Sequence, residues 1–369
     1  MDIIEYINGY VVFHLPVFWA ESEFEDMDTQ LIKLIGEIDE FKGFWNGMEE
    51  LGVERLANLR ILATIESIGS STRIEGARLT DREVENLLEG IETHSFRTRD
   101  EQEVAGYADA LRLIHESYPN VDLTENNIKY LHRALLRYST KDAWHLGEYK
   151  KHPNHVVAFD EVGNEIGIIF ETTSPFETPR EMERLVSATH AKTINDSEHP
   201  LLVIANFIVR FLAIHPFQDG NGRLSRLLTN LMLLRTGYNF VQYSSHERIV
   251  ESNKEQYYLS LRKAQKELKE LPEQDTSPVI WAEFFLIMLK KQKDLLYKKI
   301  KREKHAYSEP GLVRDILFLA GEHGSVTVSF LADSLSANRN TIKKHVQTLK
   351  QNGRLVLHGK GRGAYYTLP

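Results

Sequence analysis

Two apolar helical segments that lie close together in the chain constrain its fold more than any other feature. Residues 201–213 and 224–235 carry hydrophobic side chains almost all the way round a helix. Neither is long enough to cross a membrane, because a span needs roughly 20 apolar residues. Helices of this kind must be covered on all sides by other elements. The sequence therefore predicts a helical domain with these two helices at its centre.

Most other patterns in the chain are also helical. Apolar residues recur at helical spacing in residues 26–70, and we expect the glycines at 36, 43, 47 and 52 to interrupt that stretch. Thr80 and Thr124 have the positions of N-caps. Residues 153–170 instead place two strand-like runs around a polar turn, which predicts a β-hairpin and is the only strong strand signal before residue 325. The predicted fold class is mainly α.

Charge is distributed unevenly along the chain. Residues 310–369 carry eight Lys or Arg against three Asp or Glu, whereas the rest carries 37 against 50, for a formal net charge of −8 overall. A small basic module therefore follows a large acidic body. The lack of cysteine excludes disulfides, thiolate metal sites and cysteine nucleophiles. Because the N-terminus has no basic region typical of a signal peptide, we expect a cytoplasmic protein without a membrane segment.

A polar, glycine-rich loop joins the two apolar helices, and its residue types suit phosphate chemistry. Its glycines allow several backbone N–H groups to point into one concavity at a helix N-terminus, where the helix dipole favours anions. Arg223 and Arg226 lie on one helix face and can pair with phosphate. Asp219 is an oxygen ligand suited to Mg²⁺, and His215 can take a proton near neutral pH. The simpler alternative is a helical corner with a hydrogen-bonded histidine and solvated arginines, which so many coinciding positions disfavour.

The run His215–Arg226 resembles the signature of the Fic family, His-Pro-Phe-x-(Asp/Glu)-Gly-Asn-Gly followed by two arginines, and it matches at every position. The resemblance covers roughly residues 105–265 and implies a Fic-type helical bundle with a β-hairpin flap at 153–170. It implies transfer of AMP from ATP to a Tyr, Ser or Thr hydroxyl of a target protein, or of the chain itself. Doc-type kinases of the family carry lysine at the second glycine of the motif, so the retained Gly222 favours adenylyl transfer.

The same resemblance implies the roles of individual residues. His215 would deprotonate the target hydroxyl, and Asp219 would hold Mg²⁺. Val156 and Val157 in the flap would align the target segment by strand addition. In the nucleotide site, the Gly-Asn-Gly residues would form an anion hole, the two arginines would bind the β- and γ-phosphates, and the tyrosines and glutamine would line the adenine pocket. That site comprises Asp219, Gly220, Asn221, Gly222, Arg223, Leu224, Ser225, Arg226, Tyr257, Tyr258 and Gln265.

An upstream segment, Ser71–Gly76, resembles the inhibitory motif of Fic proteins, (Ser/Thr)-x-x-x-Glu-(Gly/Asn). Alone, this short pattern would indicate a solvated glutamate near a helix end, with Gly76 as the C-cap. Together with the Fic-like signature, it implies that Glu75 pairs with Arg226 and blocks the γ-phosphate position. In some relatives the same glutamate serves the reverse reaction, so removal of AMP from a modified protein remains an alternative.

The basic C-terminal module has the pattern of a winged helix-turn-helix: three short helices followed by two strands around a glycine-rich turn. Its third helix would enter the major groove of DNA, and its wing would contact phosphates. The alternative is a winged helix that contacts protein or associates with itself. The residues expected to face DNA are Arg339, Asn340, Lys343, Lys344, Lys360 and Arg362.

These patterns predict four regions and leave two classes of function open. Residues 1–104 form a helical region that carries the inhibitory motif, 105–270 the Fic core, 271–309 a linker helix and 310–369 the winged helix. The first function is an autoinhibited adenylyltransferase that uses ATP and Mg²⁺. The second is a DNA-binding regulator in which the Fic body senses nucleotide, although a sensor would not require a base at His215. A homodimer is an arrangement that the sequence leaves open.

Overall fold

The structure is a computed structural model, and it describes residues 4–7, 10–13, 18–47, 53–90, 96–159, 165–270, 277–307 and 311–369. The chain divides into two compact units, residues 1–294 and residues 295–369. The described part is mainly helical, which confirms the predicted fold class. No helix in these ranges is both long enough and apolar enough to cross a bilayer.

The first unit begins with a short hairpin and three helices. The elements are β1 (Ile4–Ile7), β2 (Tyr10–Phe13), α1 (Phe18–Asn46), α2 (Val53–Ile74) and α3 (Asp81–Glu89). Strands β1 and β2 pair antiparallel, with Ile7 opposite Tyr10. The prediction that no strong strand precedes residue 153 was therefore wrong. The signal was present, since Asn-Gly between two alternating runs is a strong hairpin signature.

Helix α1 also departs from the prediction, because it continues through Gly36 and Gly43 without interruption. A glycine inside a helix costs roughly 1 kcal/mol relative to alanine. Burial of one face of the helix offsets that cost, and its buried side chains are Leu34, Ile38, Phe41 and Trp45. Tertiary packing thus overrides a local propensity that alone would break the helix.

The middle of the first unit contains two helices, the predicted flap and a third helix. The elements are α4 (Arg99–Ser117), α5 (Glu125–Leu135), β3 (His155–Phe159), β4 (Glu165–Glu171) and α6 (Thr178–Asn195). Strands β3 and β4 pair antiparallel as expected. Of the polar turn predicted at 160–165, residues 160–164 lie outside the described residues and Glu165 begins β4. Thr80 and Thr124 both cap helices, as the sequence predicts.

The two apolar segments form the central helices of the first unit. The remaining elements are α7 (Pro200–Ile214), α8 (Asn221–Arg235), α9 (His246–Glu251), α10 (Lys254–Glu270) and α11 (Val279–Tyr307), with the boundary between the units inside α11. Helices α7 and α8 pack against each other, and both bury nearly all their side chains. Other helices cover this pair on several sides, since α6 and α10 contact α7 and α2, α4 and α5 contact α8. The loop between α7 and α8 is thereby placed at the core of the unit.

The second unit contains three helices followed by a hairpin. The elements are α12 (Gly311–Glu322), α13 (Val328–Ser334), α14 (Arg339–Gln351), β5 (Val356–His358) and β6 (Tyr365–Thr367). Val326 forms a bridge to Tyr366, with N–H to carbonyl distances of 2.9 and 2.8 Å. The core includes Ile316, Leu331 and Ile342. These elements follow the predicted order, whereas the winged-helix assignment and the four predicted domain boundaries stay predictions.

Candidate active site

The loop between α7 and α8 is fixed by its backbone conformation and by one asparagine. His215 adopts a left-handed conformation with φ 52° and ψ 60°, and Gly220 at φ 82° precedes α8. Asn221 Oδ1 accepts the N–H of Phe217 at 2.9 Å, and its Nδ2 donates to the Phe217 carbonyl at 2.7 Å. Asn221 thus uses its side chain to close the loop. The first N–H groups of α8 have no acceptor within the helix itself, which makes this end suited to an anion.

The His215 ring is arranged as a neutral base. Its Nδ1 lies 3.3 Å from the carbonyl oxygen of Leu212. Because a carbonyl can only accept a hydrogen bond, Nδ1 carries the proton and Nε2 keeps its lone pair. Burial, together with the nearby charge of Lys150, lowers the pKa of His215 to about 4. The ring is therefore uncharged at neutral pH, with its single proton on Nδ1.

Lys150 ties the base of the flap to this histidine, and the sequence gives no sign of it. Its Nζ donates to the carbonyl of Ile214 at 2.9 Å, to Asn154 Oδ1 at 2.9 Å and to Thr172 Oγ1 at 2.8 Å. Asn154 precedes β3 and Thr172 follows β4, so one ammonium group connects both ends of the hairpin with the residue before His215. Burial lowers the pKa of Lys150 to about 8.

Asp219 lies at the start of α8 with two arginines nearby. Its Oδ1 accepts the N–H of Gly220 at 2.5 Å and lies 3.3 Å from Arg223 Nη2, while Oδ2 lies 3.9 Å from Arg99 Nη2. Burial acts against ionisation, but Arg223, the Gly220 N–H and Arg99 together lower the pKa of Asp219. The carboxylate is therefore charged and 31% exposed.

A magnesium ion fits this residue only if phosphate supplies further ligands. Among the described residues, no group of three His, Cys, Asp or Glu side chains could hold a metal ion. Mg²⁺ commonly binds through one or two carboxylates together with substrate phosphates and water. A single partly exposed carboxylate beside the phosphate-type helix N-terminus meets that requirement.

Arg223 is buried and paired within the core. It is 1% exposed, and its Nη1 lies 3.3 Å from Glu103 Oε2. Glu103 belongs to α4, is itself 7% exposed, and also accepts from Arg99 Nε at 2.7 Å. Arg223 is thus held by Glu103 on one side and by Asp219 on the other. Its Nε and Nη1 have no hydrogen-bond partner within the described residues, so the contact with Glu103 is an ion pair without a hydrogen bond.

Arg226, one turn further along α8, is held by the segment that resembles the inhibitory motif. Its Nε donates to Ser71 Oγ at 2.8 Å, and its Nη2 donates to the Ser71 carbonyl at 2.9 Å and to Glu75 Oε1 at 2.7 Å. Burial acts against the charged guanidinium, but Glu75, Tyr257 and Tyr107 together outweigh it, so the pKa of Arg226 lies above its usual value. The predicted pair between Glu75 and Arg226 is present in this structure.

Two glycines allow Glu75 to reach this position. Gly76 has φ 102°, a conformation that favours glycine, and it ends α2 directly after Glu75. Gly222 lies below the carboxylate, and a Cβ at Gly222 would overlap Glu75 Oε1. The carboxylate therefore rests on the first turn of α8, at the position that an anion would occupy.

The residues predicted to line an adenine pocket lie on α10 near the same region. Tyr257 and Gln265 are buried, and Tyr258 Oη donates to the carbonyl of Ile74 at 3.4 Å. Gln265 Oε1 and Arg226 Nη1 are buried without a hydrogen-bond partner among the described residues. Buried polar atoms usually have a partner in native proteins, so each of these two atoms has the capacity for one further hydrogen bond, to water or to a ligand.

The remaining predicted residues lie in strands and in the second unit. Val156 and Val157 occupy β3, opposite Phe170 and Ile168, with an irregularity in register between the two valines. The structure does not describe the side chains of Val156, Val157 and Arg362. In the sheet as described, β3 pairs only with β4, so its other edge is open to a further strand. The side chains of four residues are exposed on α14, namely Arg339, Asn340, Lys343 and Lys344, and Lys360 is exposed before β6.

Comparisons with known proteins agree with the site. Residues 122–233 match the model of the Fic/DOC family. The protein adenylyltransferase Fic of Drosophila yakuba is 29% identical over 202 residues, which cover 54% of this chain and 37% of that protein. The chain therefore spans little more than a third of the length of this curated relative.

Solved structures show the same fold over more of the chain. A Fic family protein from Desulfovibrio desulfuricans has a TM-score of 0.59 at 21% identity, covering 92% of this chain and 96% of that one. A Fic domain containing signaling protein from Bacteroides thetaiotaomicron has a TM-score of 0.56 at 26% identity, covering 72% and 94%. The helical bundle described above is thus the Fic fold.

Proposed function

On the premise that residues 122–233 form a domain of the Fic/DOC family, we propose that this chain is an autoinhibited protein adenylyltransferase. It moves AMP from ATP to a Tyr, Ser or Thr hydroxyl of a target protein. The observation that carries the proposal is the geometry around α8, where a neutral His215 stands beside a phosphate-type helix N-terminus that Glu75 occupies. The name of the Drosophila relative, protein adenylyltransferase, supports the same reaction.

The proposed reaction is in-line transfer at the α-phosphorus of ATP. The target hydroxyl oxygen forms a bond to this phosphorus, the bond to the bridging oxygen of pyrophosphate breaks, and pyrophosphate leaves with the electron pair. The hydroxyl proton goes to Nε2 of His215, whose lone pair is free because Nδ1 faces the Leu212 carbonyl. The N–H groups of Asn221 and Gly222 would bind phosphate oxygens, and that of Gly220 would join them on leaving Asp219 Oδ1.

Asp219 and the target-binding strand complete the proposed active site. Asp219 would hold Mg²⁺, which when bound neutralises charge on phosphate oxygens. The open edge of β3 would bind an extended segment of the target by main-chain hydrogen bonds. Lys150 would keep the flap anchored beside His215 while that segment binds.

In the proposed inhibited state, Glu75 takes the position of the γ-phosphate. Its carboxylate already pairs with Arg226 Nη2 at 2.7 Å and lies over Gly222. Arg223 cannot substitute, because Glu103 and Asp219 hold its guanidinium. ATP would therefore bind in a pose that does not align its α-phosphate with His215 and the target hydroxyl.

Radiolabelled ATP tests this proposal directly. We expect Glu75→Gly to raise AMP transfer to protein by about 10–100-fold, since a lost charge pair of roughly 1.5–3 kcal/mol corresponds to that factor. Adding His215→Ala to Glu75→Gly should abolish the transfer. Glu66→Gly makes the same change elsewhere on α2 and serves as the control, with transfer expected to match the wild type. Equal labelling by wild type and Glu75→Gly would contradict the inhibitory role, and labelling without His215 would contradict the mechanism.

The position of Glu75 also favours a second candidate, removal of AMP from a modified protein. Its side chain is 28% exposed beside the nucleotide position, so the carboxylate could activate a water molecule. Incubating an AMP-modified protein with the wild type and with Glu75→Gln distinguishes the two directions. Release of AMP by the wild type and not by the variant would support the reverse reaction.

The exposed basic residues on α14 support a separate proposal for the second unit, which is DNA binding. Arg339, Lys343 and Lys344 are exposed, whereas Ile342 and Val346 of the same helix are buried. A gel-shift titration of the full chain at several salt concentrations tests it, because phosphate contacts weaken steeply with salt. Binding that is lost in Lys343→Ala/Lys344→Ala would support the proposal, and no shift at low salt would contradict it.

A further inference from the structure

A buried histidine outside the Fic-like signature contacts the loop at two points and the segment before Lys150 at a third. His132 lies on α5 and has no exposed surface. Its ring stacks on Phe217 at a centroid distance of 3.9 Å and an angle of 11°. Its Nε2 lies 3.0 Å from the carbonyl oxygen of Asp219, and its Nδ1 accepts the N–H of Gly147 at 2.9 Å.

These contacts define the tautomer of His132 without ambiguity. The Gly147 N–H can only donate, so Nδ1 of His132 is the acceptor. Nε2 therefore carries the proton and donates it to the Asp219 carbonyl, which can only accept. The side chain is neutral, and both of its nitrogen atoms are engaged, so the ring cannot rotate without losing two buried hydrogen bonds.

The peptide that His132 holds is the one that orients the start of α8. The carbonyl of Asp219 belongs to the peptide unit whose N–H, on Gly220, binds Asp219 Oδ1. Gly220 in turn begins the helix, and its carbonyl accepts the N–H of Leu224 at 2.9 Å. Fixing this carbonyl consequently fixes the direction of the Asp219 carboxylate and of the first N–H groups of the helix.

His132 also links the loop to the segment that carries Lys150. Gly147, its hydrogen-bond donor, has φ 71°, and the chain then runs alongside the loop. Tyr149 bridges to Phe217, and the N–H of Lys150 donates to the carbonyl of Pro216 at 2.8 Å. The His132 ring thus joins the loop that contains His215 to the segment that carries Lys150.

We propose that His132 is a positioning residue for AMP transfer, which sets the Asp219–Gly220 peptide so that the carboxylate and the helix N–H groups meet the metal-bound phosphates. This inference rests on the proposed function. It assigns the effect to the Nε2–H bond with Asp219, and not to the bulk of the ring or to the bond from Gly147.

Two amide substitutions separate these contributions. In Gln, the terminal amide reaches the position of Nε2 and can still donate to the Asp219 carbonyl. In Asn, the amide reaches only the position of Nδ1 and keeps the bond from Gly147. His132→Phe keeps the stacking on Phe217 and loses both hydrogen bonds. All three are made in the Glu75→Gly chain, so that transfer can be measured.

We expect His132→Asn and His132→Phe to lower kcat by about 10–100-fold, the range usual for residues that orient a metal ligand, and to raise KM for ATP with Mg²⁺ by about tenfold. His132→Gln should stay within about fivefold of the parent. Thermal melting of each variant monitors folding. If Asn and Phe prevent folding, the Gln variant alone decides. A kcat for His132→Gln that falls as far as that for His132→Asn, or by more than about tenfold, would overturn the assignment.

Calorimetry separates a failure of this inference from a failure of the proposed function. We expect His132→Asn to weaken binding of ATP with Mg²⁺ by about tenfold, while binding of ATP in EDTA changes by less than about threefold. If the parent binds ATP with Mg²⁺ but transfers no AMP, the proposed function fails and the binding comparison still tests His132. Equal weakening with and without metal would overturn the positioning role. A parent that neither binds ATP nor transfers AMP contradicts both.

Discussion

Two arginines one turn apart on α8 are each paired with a glutamate from a different segment of the chain, but the two environments differ. Arg223 faces Glu103 of α4, which is 7% exposed, and Arg226 faces Glu75, which directly follows α2 and is 28% exposed. The distances are 3.3 and 2.7 Å. The more buried pair is part of the core, whereas the more exposed pair joins α8 to the end of a helix. The two ion pairs therefore differ in burial, and we propose that the more exposed pair is the one that can open.

The largest expected effect that tests this contrast is on stability. Glu103→Gln should destabilise the first unit by about 3–5 kcal/mol, because the buried Arg223 charge loses its carboxylate partner. Glu75→Gln should cost less, roughly 1.5–3 kcal/mol, because Glu75 is the more exposed carboxylate and Arg226 keeps its two hydrogen bonds to Ser71. Urea denaturation of both variants measures the difference. Similar losses in the two variants would show that the two pairs do not differ in the way that their burial indicates.

A smaller effect is expected from the contacts that hold the end of α2 in place. Arg73, two residues before Glu75, has Nε 2.6 Å from Glu251 Oε1, and its guanidinium lies 2.9 Å from Asp81 Oδ1. We expect Arg73→Met to raise AMP transfer by about 3–10-fold with Glu75 intact, since about 1 kcal/mol of restraint on Glu75 would be lost.

The matched control combines Arg73→Met with Glu75→Gly. If Arg73 acts through Glu75, the double variant should transfer AMP no faster than Glu75→Gly alone. A further rise in the double variant would show that Arg73 affects transfer by another route. Glu251→Gln removes the partner carboxylate on α9 and should reproduce the effect of Arg73→Met.

The smallest effect on stability is expected at Arg99, the exposed partner of the buried Glu103. Arg99 is 63% exposed and pairs with Glu103 one turn away on the same helix. Arg99→Gln should change the free energy of unfolding by less than about 0.5 kcal/mol, because exposed helical pairs contribute little. Denaturation at low and high salt measures it. A loss comparable with that of Glu103→Gln would mean that Arg99, and not Arg223, is the important partner of Glu103.

Local sequence patterns predicted those elements whose determining residues lie close together in the sequence. The apolar periodicity of residues 201–235 identified the central helices, and the motif between them identified the loop. The N-caps at Thr80 and Thr124 and the flap strands were likewise visible, because each depends on residues a few positions apart. The pair of Glu75 and Arg226 followed from the family resemblance, since nothing in either segment alone specifies a partner 151 residues away.

The residues that sequence reasoning missed depend on distant neighbours. Glu103 lies in the polar first half of α4 and resembles a solvated glutamate until α8 is packed against it. Lys150 and His132 likewise have no local signal, because their partners come from the flap and from the α7–α8 loop. The β1–β2 hairpin was a different kind of miss, since its Asn-Gly signal was present in the sequence. The continuous α1 shows packing overriding the cost of two glycines.

Because Glu75 lies so close to Gly222, the residue types that can occur at these two distant positions depend on each other. Any side chain at 222 would collide with the carboxylate, so a descendant of this chain could enlarge residue 222 only after losing or relocating Glu75. Conversely, a homologue that lacks α2 and the glutamate after it does not need glycine at position 222. We therefore expect the size of residue 222, compared across diverging sequences, to show whether the contact with a glutamate at position 75 has been retained.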